Sequence, residues 1–117
     1  SVQITLPLDV KIDLGAVGGP SAGLAFALDV MEELGPSVDG GYRVAVTGEL
    51  ELDGAVGQIG GVKQKTIGAR RTGVDVFLVP AGDNAAEARR YAGGLLIIPV
   101  KSFRQALRAL ATLPPKN

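Results

Sequence analysis

The stretch Ile59 to Pro80, IGGVKQKTIGARRTGVDVFLVP, decides the fold class. Gly60-Gly61 opens a helical pattern that runs from Val62 to about Thr72 and closes at Gly73. Asp75 to Val79, DVFLV, follows almost at once as a short apolar run ended by Pro80. A brief, nearly continuous apolar run bounded by turn residues reads as a buried strand. Helix and strand therefore alternate closely, and the remaining sequence extends the same pattern.

Upstream, Tyr42 to Leu52 (YRVAVTGELEL) alternates as a long strand, and Asp53-Gly54 is a hairpin signal with Ala55 to Ile59 as the return strand. Val2 to Leu14 (VQITLPLDVKIDL) alternates around Pro7, which predicts one or two strands with the proline at an edge or bend. Gly15 to Gly19 reads as a loop. Leu24, Ala27, Leu28, Met31 and Leu34 then follow helical spacing up to Gly35-Pro36. Downstream, Asp83 to Tyr91 reads as a helix with Asp83 near its cap, and Leu95 to Val100 as a strand. Ser102 caps a last helix whose face is Phe103, Ala106, Leu107, Leu110 and Leu113, stopped by Pro114-Pro115. The predicted architecture is a mixed α/β or α+β domain spanning 1–117, a sheet covered by helices.

Composition bounds the chemistry. The chain has 117 residues, 46% hydrophobic and 21% charged, as expected of one globular domain. Twelve basic residues balance twelve acidic ones, which gives no field for nucleic acid or an anionic membrane. Cysteine and histidine are both absent. That excludes disulfides, thiol nucleophiles, cysteine zinc sites and every catalytic arrangement built on imidazole. Hydrolysis on this chain would need a hydroxyl paired with a lysine, or two carboxylates.

One hydroxyl stands out. In GGPSAG, Gly18 to Gly23, Ser21 sits where the chain should turn into the helix that starts near Leu24. Serine after proline is a favoured helix start, so a cap alone would explain it. The small residues around it also allow close backbone approach, and a helix N-terminus offers free N–H groups to a developing oxyanion. The backbone of Gly19 and Pro20 is the candidate oxyanion site. Neither a Walker loop nor a dinucleotide fingerprint matches these glycines.

A serine nucleophile needs a base. On a wheel at roughly 100° per residue, Val62, Ala69 and Gly73 define a small apolar face. Lys65 lies within roughly 60° of that face, whereas Lys63 points away beside Arg70. Apolar surroundings disfavour the charged amine, as a Ser-Lys dyad requires, while a snorkelling surface lysine is the plainer alternative. Thr47 could orient a buried Lys65 or be an ordinary strand residue. Glu49, Glu51 and Asp53 read as the solvated side of the hairpin rather than as a metal site.

Taken in order, GPSAG, TGEL and IGGVKQK resemble the proteolytic domain of the Lon family, over nearly the whole chain. The resemblance implies a serine endopeptidase with a ribosomal protein S5 domain 2-like architecture, in which Ser21 is the nucleophile, Lys65 the base and Thr47 a contact of that lysine. It implies protein or peptide substrates, no cofactor and a ring-shaped homo-oligomer. ATP-dependent members carry a Lys-Asp pair before GPSAG, where this chain has Val17-Gly18. It therefore looks closer to ATP-independent Lon-like proteins with an upstream PDZ domain and a membrane anchor. On that reading the chain, which begins at Ser1, is a soluble fragment of a parent anchored at the bacterial cell envelope. An excised domain of an ATP-dependent, cytoplasmic Lon and a non-catalytic Lon-like binding module are the alternatives.

Overall fold

In the computed structural model, residues 2–5, 10–16, 29 and 42–114 are described. The strand expected near the N-terminus is two strands, β1 (Val2–Thr5) and β2 (Val10–Ala16), paired antiparallel from Val2↔Leu14 to Thr5↔Lys11. Of the helix expected from Leu24, only Asp29 is described, and it is helical. Ser21, Gly19 and Pro20 lie outside the described residues. There follow β3 (Val44–Leu50), β4 (Val56–Gly57), α1 (Val62–Arg71), β5 (Val76–Pro80), α2 (Asp83–Tyr91), β6 (Leu96–Val100) and α3 (Phe103–Ala111).

The described strands form one sheet in the order β1-β2-β3-β5-β6, with β4 paired to the far end of β3. The pairs β2–β3, β3–β5 and β5–β6 are all parallel. Parallel strands are buried on both faces, and the period of two along each strand sorts its residues between two cores. One face gathers Ile12, Leu14, Val46 and Leu78 against Ala106 and Leu110 of α3. The other gathers Ala45, Phe77 and Val79 against Val62 and Ala69 of α1 and Ala85 and Ala88 of α2. Every residue of β5 is buried, which is why DVFLV shows no alternation.

Helix ends follow local chemistry. At the close of α1, Gly73 adopts φ 79°, its N–H donates to the Arg70 carbonyl (3.3 Å), and Val74 N–H donates to that of Ala69 (3.0 Å). This is a Schellman ending, where a left-handed glycine satisfies the last carbonyls. At the start of α3, Ser102 Oγ accepts from Gln105 N–H (3.0 Å), and Gln105 Oε1 accepts from Lys101 N–H (2.6 Å). Asp83 lies in the first turn of α2, whose N-cap is Gly82.

Two expectations change. The return strand of the hairpin is only Val56–Gly57, because beyond it the backbone of Ile59 bonds to α2 instead of to β3. The hairpin turn itself forms at Asp53-Gly54, with Asp53 Oδ1 accepting from Ala55 N–H (2.9 Å). Gly15 and Ala16, expected in a loop, extend β2 to its pairing with Glu49 and Leu50. A Cβ on Gly15 would meet only the flexible end of the Glu49 side chain, which would have to turn aside.

Candidate active site

The loop entering α1 is fixed before the helix begins. Asn84, on the first turn of α2, is only 8% exposed. Its Oδ1 accepts from Ile59 N–H (2.7 Å) and its Nδ2 donates to the Ile59 carbonyl (3.0 Å). Gln58 Oε1 accepts from Asn84 N–H (2.8 Å), and Gln58 Nε2 donates to the Ala81 carbonyl (2.6 Å). The amide of Asn84 thus reproduces the pairing a strand would give Ile59. Replacing it by alanine strands a part-buried N–H and C=O. Asn84→Ala is therefore expected to lower unfolding free energy by about 1–3 kcal/mol. Urea denaturation checks it: the midpoint falls while the slope stays constant.

From that anchor α1 crosses the sheet with Val62, Thr66 and Ala69 buried. Thr66 belongs to the inward face because its hydroxyl donates to the Val62 carbonyl (2.7 Å), leaving no polar group unpaired. Lys63 turns outward, its Nζ 5.1 Å from the centre of the Tyr91 ring, a cation–π contact. Lys65 turns toward the strands. Its Nζ donates to Asp13 Oδ2 on β2 at 2.8 Å, with the two side chains 33% and 21% exposed.

Lys65 and Asp13 line a cavity of about 290 Å³ together with Lys11, Thr47, Ala45 and Phe77. Lys11, Asp13, Thr47 and Lys65 give the lining polar groups, and Ala45, Phe77 and Ala69 of α1 give it apolar ones. Asp13 and Thr47 are register partners in the parallel β2–β3 pair, so they stand side by side on the same face. Thr47 is 2% exposed, and its Oγ1 has no partner among the described residues; nor has Asp13 Oδ1. Lys65 and Thr47, singled out from sequence, thus line one cavity, but the hydrogen bond of Lys65 goes to Asp13.

Sequence reasoning missed Asp13. Alternation in Val10–Leu14 separates Lys11 and Asp13 from Ile12 and Leu14, and that signal was available. What faced Asp13 was not, because its partner lies 52 residues away.

The family profile described as the Lon protease (S16) C-terminal proteolytic domain matches residues 6–111. The chain belongs to the Lon protease family. Among Lon relatives it is 32% identical to Lon protease 2 of Bacillus subtilis over 114 residues, 97% of this chain and 19% of that protein. It is 37% identical to Lon protease of Chloroflexus aggregans over 118 residues, 94% of this chain and 14% of that one. Lon protease 1 of Sorangium cellulosum is 42% identical over 81 residues, 67% of this chain and 10% of the relative. The chain thus spans less than a fifth of the length of these curated Lon relatives. Its mostly parallel sheet flanked by helices is the Lon proteolytic-domain fold. Among the described residues, no helix is long and apolar enough to cross a membrane.

Proposed function

We propose that this Lon domain is a serine endopeptidase in which Ser21 is the nucleophile and Lys65 its general base. The observation that carries the reading is the inward course of Lys65: its amine reaches over the sheet into a cavity that also holds Thr47 and Asp13. Topology supports it. The step from β2 to β3 runs in the same direction across the sheet as the step from β3 to β5, whose connection contains α1. Parallel strands need crossovers, and crossovers are right-handed in roughly 98% of cases, so both connections are expected on one face. Ser21 belongs to the first connection, eight residues after Asp13.

The chemistry is acyl transfer. Ser21 Oγ attacks the carbonyl carbon of the scissile peptide while its proton passes to the neutral amine of Lys65. The tetrahedral oxyanion is met by backbone donors around the nucleophile. Pro20 has no N–H to offer, so on this reading the donors are the N–H groups of Gly19 and Ser21. Lys65 then returns the proton to the leaving amine, and water hydrolyses the acyl-enzyme on Ser21. Thr47 Oγ1, buried and without a described partner, is suited to accept from or donate to the amine as it changes protonation state.

A fluorophosphonate probe tests this directly in the full-length protein. Peptide mapping is expected to find the label on Ser21, to lose it in Ser21→Ala, and to find it at least about tenfold slower in Lys65→Ala. Labelling of Lys65→Ala at the wild-type rate would leave Lys65 without a role as base. A protein that takes no label on Ser21 while its substrate-binding is intact would fit a non-catalytic module instead.

A further inference from the structure

Asp13 is a costly residue for its position. One carboxylate oxygen holds Lys65, while the other, Oδ1, is buried without a hydrogen bond among the described residues. A buried, unpartnered acceptor disfavours the folded state and calls for an explanation outside packing. The ion pair does not supply one, since a pair exposed to this degree contributes little to stability. Among the described residues, Asp13 Oδ1 and Thr47 Oγ1, neighbours in one register row of the cavity that Lys65 also lines, have no hydrogen-bond partner.

We infer that Asp13 is a positioning residue for the peptidase reaction, holding the Lys65 amine in the orientation it needs and stabilising it once it is charged. The inference rests on the Ser-Lys reading above. When Ser21 Oγ bonds to the carbonyl carbon, its proton moves to Lys65 Nζ, and a neutral amine beside a carboxylate becomes an ammonium beside a carboxylate. Starting from the neutral, reaction-competent amine, the charge pair seen in the resting structure is re-formed as the tetrahedral intermediate forms. It is released when the ammonium gives that proton to the leaving amine. An interaction that strengthens along the reaction raises turnover, whereas one present equally throughout alters only binding. The anion is well placed for this: Asp13 sits on a sheet strand paired on both sides, which fixes its backbone more firmly than a loop would.

The test uses the full-length protein and a fluorogenic peptide substrate, with Ser21→Ala and Lys65→Ala measured alongside. Asp13→Asn keeps the shape and is expected to lower kcat roughly 10–100-fold with KM within about twofold, and with an unchanged thermal midpoint. Asp13→Glu, which restores the charge with one methylene more, is expected to recover part of that loss. Combined with Lys65→Ala, Asp13→Asn should cost nothing further, because its effect passes through the amine. Wild-type kcat in Asp13→Asn, with both dyad variants inactive, would overturn the role of Asp13 alone. So would an equal loss in the Lys65→Ala background, which would mark a structural effect. Full activity in Ser21→Ala or Lys65→Ala would instead overturn the dyad beneath it.

Discussion

Lys65→Ala is expected to lower kcat/KM for peptide hydrolysis by about a thousandfold, equivalent to about 4 kcal/mol of transition-state stabilisation. The more informative variant is Lys65→Arg. A guanidinium keeps the positive charge and can still pair with the Asp13 carboxylate, but it does not give up its proton at any pH a protein survives. A base must be neutral before it acts. If Lys65 takes the proton of Ser21, arginine fails as completely as alanine. If its contribution were only a positive charge in the cavity, arginine would retain most of the rate. Stability should hardly respond to either change, because the Lys65–Asp13 pair is partly exposed and is worth no more than about 1 kcal/mol. Initial rates on a fluorogenic peptide, with unfolding curves for each variant, check both statements. Substantial activity in Lys65→Arg would remove the general-base role.

The largest expected effect on stability lies elsewhere, at the centre of the sheet. Leu78 is fully buried on β5, between β3 and β6, within the core that packs against α3. Truncation to alanine removes apolar area and leaves a cavity that a strand hydrogen-bonded on both sides cannot collapse to fill. Leu78→Ala is expected to cost about 3–4 kcal/mol. For a domain of this size that is roughly 10–20 °C in Tm, a large share of a total stability of about 5–15 kcal/mol. Leu52 is the internal control. It is 80% exposed in the hairpin, and Leu52→Ala should stay within about 0.5 kcal/mol. Chemical denaturation of the two variants side by side decides it. Equal effects would mean that β5 does not occupy the middle of the sheet.

Elements whose signals are local were legible from sequence almost residue by residue. Val62–Arg71, Asp83–Tyr91 and Phe103–Ala111 match the expected helices, because caps, glycine stops and apolar spacing act within a few residues. The second lysine of GGVKQK was legible as the inward one for the same reason: helical phase alone separates it from Lys63. The return strand was not legible. Its length depends on Asn84, which takes the Ile59 backbone away from β3 from a point 25 residues downstream. Nor was the surrounding of Lys65 as apolar as helical phase implied. The wheel shows which way a side chain leaves its own helix, and only the opposing strand shows what it meets.

By itself, then, the sequence determined the alternation of strands and helices, the Ser102 cap and apolar face of the last helix, and the exclusion of imidazole and thiol chemistry, and it suggested a Ser-Lys pair. These follow from covalent spacing and from which side chains are present at all. Only the tertiary structure decided that β2 lies beside β3 in parallel, bringing Asp13 level with Thr47 and opposite Lys65. Strand order and register are set by burial summed over the whole sheet. Groups 52 residues apart in sequence are therefore joined by an energy that no short stretch of sequence contains.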